Sequence, residues 1–339
     1  MRGRSLAHRK RHRRLGRRAR AGLPGLTKLP HMDHATAPLP AAPRGCALCA
    51  LRGAGAAPGR RLFTGLLLAG GATAALPALG QTLGLEGDVG RQSRFTKLVP
   101  AEQVEAAAAQ QYRSMMREAA QQKALAGRDN PQLQRLRAIA QRILPYTRPW
   151  NERAANWQWE VNLLGSPQVN AFCMPGGKIA FYFGILHKLQ LDDDEVAAIM
   201  GHEIAHALRE HARERMGKTA ATRIGAGLLS SLLGLGGAGD TLLNMGGQLL
   251  TLKFSREDET EADLVGLDLG ARAGYDPAAG VTLWQKMTAA SAGGPPQFLS
   301  THPAGDTRIR DMQAKLPKVQ PLYRQAAKPA QRFQPPPRA

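Results

Sequence analysis

His202-Glu203-Ile204-Ala205-His206 constrains this chain more than any other stretch of it. On a helix, residues i and i+4 share a face, so both imidazoles can address one metal ion. Glu203 lies about 100° further round, close enough to take a proton from water at that metal without ligating it. At average residue usage the pattern arises by accident in roughly one chain of this length in a hundred, so its neighbours decide. Asp192-Asp193-Asp194-Glu195, running into Val196, Ala197, Ala198, Ile199 and Met200, reads as a capped helix start followed by a buried helix body. The motif therefore falls on a helix, where zinc chemistry requires it.

A zinc hydrolase of this kind needs a third protein ligand and an open position. His211 does not fit the metzincin pattern: it stands nine residues after His202 instead of ten, and Arg209 occupies the place of a glycine. Nine helical steps also carry it to the opposite face, which predicts a surface histidine. Ser255 to Asp263 is the other source, an acidic helix start ahead of Leu264, Val265, Leu267 and Leu269. Glu259 and Asp263 share one face, which suits a ligand carboxylate and a second carboxylate that fixes a histidine tautomer. Glu257 and Glu261 have the same spacing, and periodicity alone leaves both pairs open.

Taken together, HEIAH and the SRxxExEAD segment some fifty residues later resemble the gluzincin zinc metallopeptidases that include HtpX, the CAAX prenyl endopeptidases and the mitochondrial OMA protease. The resemblance runs from about Phe95 to Leu316. It is nearest the soluble periplasmic branch typified by the β-barrel assembly-enhancing protease. Asn170-Ala171-Phe172 with Pro175-Gly176-Gly177 is similar to the family's strand before the zinc helix, and Phe183-Gly184-Ile185-Leu186 to its turn. Ser300-Thr301-His302-Pro303 with Arg308-Ile309 is similar to its downstream element. The resemblance implies Glu259 as third ligand beside His202 and His206, and Asp263 behind a ligand histidine. It also implies Asn170 and Ala171 on or near a substrate-binding edge. The fold it implies is α+β and mainly helical, with a small antiparallel sheet beside the zinc helix.

The expected chemistry is peptide hydrolysis with one zinc ion per chain and Glu203 as general base. His302 is either the donor that meets the developing oxyanion or a fourth zinc ligand that keeps the enzyme latent. Arg308 is expected to pair with an acidic residue. Residues 157–164, 168–174 and 178–183 are rich in Val, Phe, Tyr and Trp and bounded by Gly, Pro and Asn, which predicts three strands. An exposed edge of such a sheet takes extended peptide as an added strand, selecting unfolded chain rather than sequence. Two functions follow: an endopeptidase clearing misfolded or unfolded proteins of the bacterial envelope, or a largely latent chaperone or assembly factor that binds extended polypeptides.

Net charge is +20, but residues 1–80 hold fifteen Lys/Arg against one acid, Asp33, leaving +6 for the rest. No aromatic-interleaved basic surface argues for nucleic acid. Within 1–80, a basic extension precedes Gly59-Arg60-Arg61-Leu62-Phe63 and an uncharged run that ends in small residues at Ala78 and Gly80. That is the form of a twin-arginine export signal, predicting a periplasmic protein cleaved near Gly80–Gln81. The alternative is an inner-membrane anchor formed by uncleaved residues 62–85. Cys46 and Cys49 would leave with the signal, and Cys173 alone has no disulfide partner.

Residues 81–316 form the expected metallopeptidase domain, with helices at 101–126, 131–144 and 276–290. Inside it, 217–254 is apolar and interrupted by glycines, too short in each half to span a bilayer. It reads as a lid over the cleft or, across 224–252, a membrane-surface contact. Residues 317–339 are basic and Pro/Gln-rich, which predicts a disordered tail able to touch a partner or anionic lipid.

Overall fold

The computed structural model describes residues 84–224, 245, 248–249, 251–291, 296–303 and 305–338. By its internal contacts the chain divides between residues 72 and 73, and every described residue falls in the second unit. The export signal and nearly all of the alternative anchor lie outside the described residues, as does most of 225–250. Leu85, the last residue of that anchor, is fully buried and donates its backbone N–H to Asp268 Oδ2 at 3.0 Å.

Two helices open the unit. Helix α1, Ala101–Gln121, starts after Pro100 and buries Val104, Ala107, Ala108 and Tyr112, a three-to-four-residue stripe. Helix α2, Pro131–Ile143, has proline at its first position and Asn130 as a cap accepting from the backbone of Gln132 and Leu133. It buries Leu133, Leu136, Ile139 and Ile143. Each such side chain stabilises by roughly 1.5–3 kcal/mol when fully removed from water.

The strands β1 (Glu160–Leu164), β2 (Ala171–Met174) and β3 (Lys178–Tyr182) form a sheet in the order β1-β3-β2. Here the structure departs from the expected antiparallel sheet. β2 and β3 are antiparallel, joined through Gly176 and Gly177 at φ 80° and 78°, but β1 runs parallel to β3. A tight glycine turn specifies only the hairpin it closes. The pairing of β1 depends on the longer connection across the sheet, which carries no local signal. Phe183–Leu186, expected as a turn, belongs to a short helix, α3 (Phe183–Leu189), ended by Gln190 in the left-handed region.

Helix α4, Asp193–Leu208, is buried on almost every side. A capping box between Asp192 and Glu195 starts it. Its first turn is fixed to α2 by the fully buried Arg135, whose Nε lies 2.6 Å from Asp193 Oδ1. Helices α5 (His211–Ile224), α6 (Arg256–Arg272), α7 (Ala279–Ala290), α8 (Gln297–Thr301) and α9 (Asp306–Gln325) complete the unit. α6 packs along α4, and α9 packs against α6. No described helix is long and apolar enough to cross a membrane.

The tail expected to be disordered is ordered. Residues 317–325 continue α9 through Pro317 and Pro321. Beyond it the chain runs extended to the N-terminus of α4, where the Phe333 N–H donates to Asp193 Oδ2 at 2.8 Å and Arg332 pairs with Asp194 at 2.9 Å. Gln132 and Gln190 donate to the carbonyls of Gln334 and Pro336, both at 3.0 Å.

Candidate metal centre

α4 and α6 meet backbone to backbone. A methyl group built on Gly266 would lie 2.8 Å from the His202 nitrogen, and one on Gly201 would lie 2.9 Å from the Gly266 carbonyl. Glu259, Asp263 and Gly266 follow the i, i+4, i+7 spacing of one helix face. The face that touches α4 therefore also presents both carboxylates to the histidines. Glu261 points elsewhere and Glu257 is exposed, so the two carboxylate pairs of equal spacing separate here.

Four buried side chains converge. His202 Nε2 and His206 Nε2 are 3.1 Å apart, and each lies 3.5 Å from a Glu259 oxygen. His302, just past the end of α8, brings Nδ1 to 3.3 Å from His202 Nε2 and 3.0 Å from Glu259 Oε1. One donor atom from each residue falls within 4.8 Å of all the others.

The donor set fits a metal ion on two counts. Ligand atoms about 2.1 Å from a tetrahedral zinc stand roughly 3.4 Å apart, close to the separations found. The tautomers agree as well. His202 Nδ1 is 3.0 Å from Asp263 Oδ1, so its proton points outward. His206 Nδ1 is 2.9 Å from His211 Nδ1, and His211 Nε2 is 2.8 Å from Glu261 Oε2. The carboxylate takes the His211 proton, which leaves His211 Nδ1 to accept from His206. Both Nε2 lone pairs then face each other, a repulsive arrangement that a cation between them relieves. Burial, with the neighbouring cationic groups, holds His206 well below its ordinary pKa, in the neutral form a ligand needs.

His211 corrects the sequence reading. It is fully buried against the centre, not on the surface. Helix α4 ends at Leu208, and Glu210 adopts φ 58°, so the chain turns back before α5 begins. Counting helical steps from His202 fails across that break.

Arg308 also reaches the centre. It grips Asp263 through Nε and Nη2, both at 2.7 Å, and its Nη1 lies 2.6 Å from Glu259 Oε2. Burial would raise the Asp263 pKa, but Arg308 and His202 outweigh it and hold the carboxyl at about 2. The guanidinium stacks 3.8 Å from the Trp284 ring, and Phe254 stacks on His206 at 4.0 Å.

Glu203 is buried, and its Oε1 has no hydrogen-bond partner. Burial raises its pKa, opposed by His302 and His202. His302 Nε2 stands 3.5 Å from that oxygen. Burial alone would depress the His302 pKa; Glu203 and Glu259 together raise it. Asn170 and Ala171 line the same pocket as Glu203 and His302, and Leu249, Leu252 and Phe254 line it too. Of the segment 217–254, expected as a lid, residues 217–224, 245, 248–249 and 251–254 are described, and Leu249, Leu252 and Phe254 are its pocket-lining residues. Glu261, Phe254 and Trp284 carried no sequence signal of their own; only the equal spacing of Glu257 and Glu261 hinted at a second use for that helix face.

The model of peptidase family M48 matches residues 132–316, from α2 into α9. The chain belongs to that family, a class of metallopeptidases. It is 40% identical over 166 residues to the mitochondrial metalloendopeptidase OMA1 of Schizosaccharomyces pombe, covering 48% of each chain. It is 33% identical over 177 residues to OMA1 of Saccharomyces cerevisiae, half of each. To the β-barrel assembly-enhancing protease of Escherichia coli it is 28% identical over 176 residues, 49% of this chain and 36% of that one. The matches thus span about half the length of these relatives or less. Identity is higher to the two OMA1 proteins than to the branch that the motifs resembled most.

Proposed function

We propose that this chain is a zinc-dependent endopeptidase that hydrolyses extended segments of misfolded or unfolded proteins in the bacterial cell envelope. The observation that carries the reading is the buried His202–His206–Glu259 donor set with the unpartnered Glu203 oxygen beside it. Those three residues would hold the ion, with Asp263 fixing the His202 tautomer. Zinc, when bound, supplies a Lewis acid that polarises a peptide carbonyl and makes water acidic near neutral pH. Glu203 accepts the proton of the attacking water and delivers it to the leaving amine. Its free Oε1 and its burial suit a base that must not be solvated.

Substrate binding at β2 is supported by position. β2 pairs only with β3 among the described strands, and its residues line the pocket. A peptide laid there would be recognised by its backbone. The periplasmic placement rests on the Gly59–Gly80 signal, with an anchor at 62–85 as its alternative. Membrane contact through 224–252 or the basic tail belongs to the same proposal; Arg324, Lys328, Arg332 and Arg338 of the tail are exposed.

His302 favours a second reading, a largely latent protease acting mainly as a binding factor. Its Nδ1 already sits among the donor atoms and would fill the position that water needs. One experiment separates the readings: cleavage of an unfolded casein-like substrate by the full chain, with zinc assayed alongside. Cutting that disappears on chelation and in Glu203→Gln supports the endopeptidase. Stoichiometric zinc without cutting, and cutting gained in His302→Ala, supports latency. A protein that takes up no zinc refutes both.

A further inference from the structure

We infer that His211, Glu261 and Arg209 form a positioning relay that prepares His206 to bind metal, the counterpart for the second histidine of what Asp263 and Arg308 do for the first. The inference rests on the proposed metal centre. A histidine can ligate through Nε2 only when its proton sits on Nδ1, and something must hold it there. For His206, among the described residues, no carboxylate is hydrogen-bonded to Nδ1; the neighbour at 2.9 Å is another imidazole.

An imidazole performs this task only if it is itself fixed. Glu261 takes the Nε2 proton of His211 at 2.8 Å, and Arg209 holds Glu261 at 2.6 Å on its other oxygen. The order Arg209–Glu261–His211–His206 alternates donor and acceptor without conflict, and all of it is buried or nearly so. The chain break serves the same end. Glu210 at φ 58° lets Arg209, which caps the C-terminus of α4, and His211, the first residue of α5, both face Glu261. A non-glycine residue held there is strained, and Glu210 is braced by Arg213 at 2.6–2.7 Å.

The test is zinc affinity of the full chain by chelator competition, with the His206 tautomer of the metal-free protein read by long-range proton–nitrogen NMR. His211→Ala should weaken zinc binding about 10–100-fold, the usual effect of removing a partner behind a ligand. The proton of His206 should leave Nδ1 in the same variant. His211→Asn, whose amide can accept from His206 and donate to Glu261, should restore most of both signals; it also keeps the test decisive if the alanine variant does not fold. Unchanged affinity and an unchanged tautomer in His211→Ala, with wild-type protein binding zinc normally, would overturn the relay. Wild-type protein that binds no zinc would instead overturn the metal centre, which the NMR reading does not depend on.

Discussion

Arg308 on α9 holds Asp263 on α6 through two nitrogens, each at 2.7 Å, with both side chains buried. The same guanidinium lies 2.6 Å from Glu259. One cation thus compensates two carboxylates in a place where neither could remain charged alone.

Arg308→Ala should therefore cost about 3–5 kcal/mol, the usual penalty for stranding a buried charge. Arg308→Lys should recover part of it, since an ammonium restores the charge but not the planar fork. Denaturant unfolding of the metal-free protein reads both values. A loss below about 1 kcal/mol for the alanine variant, a typical surface-pair value, would show that the ion pair contributes little.

Acid should act through Asp263. Its folded pKa of about 2 lies below the ordinary value of 3.8, so its contribution is complete above pH 3.8 and is lost as pH falls through about 2. The difference amounts to roughly 2 kcal/mol. Stability of the metal-free protein measured from pH 5 downward should fall more steeply than that of Asp263→Asn across this window. Parallel curves would contradict the assignment.

Gly266→Ala should damage the centre without touching it. The added methyl would meet the His202 nitrogen at 2.8 Å and the Gly201 carbonyl carbon at 3.0 Å, both main-chain atoms, so α4 and α6 must part. About 1–3 kcal/mol of stability should go, and zinc affinity should fall by at least about tenfold. Gly270→Ala, one turn further on with nothing within 4 Å of the new methyl, is the control and should bind zinc as wild type does.

Deleting residues 326–339 should lower stability by about 2 kcal/mol, chiefly through the lost Phe333 N–H bond to Asp193. Zinc affinity should be unchanged, because the strap meets α4 at its first turn, far along the helix from His202. Calorimetry and zinc titration of the truncated chain check the two halves of this statement.

The sequence announced what local chemistry controls. The capped helix start at Asp192–Glu195, the buried run after it and the shared face of His202 and His206 are encoded within about four turns of one helix, and the structure has that start and that helix. Features set by distant partners were hidden. The parallel pairing of β1 depends on a crossover, and the break at Glu210 carries no glycine, proline or asparagine to mark it. The composition of 317–339 suggested disorder, yet α9 tolerates Pro317 and Pro321 because Met312, Val319 and Leu322 bury its face. The remainder is held by carboxylates of α4 that no local pattern links to it.

The contact between Gly201 and Gly266 has a consequence for how the chain tolerates change. The gap between the histidine helix and the carboxylate helix is set by main-chain radii, which no side-chain replacement elsewhere can alter. Folding stability and the dimensions of the centre become separable quantities. Substitutions scattered through the rest of the core can weaken the fold step by step, while each molecule that is still folded keeps a centre of the same size.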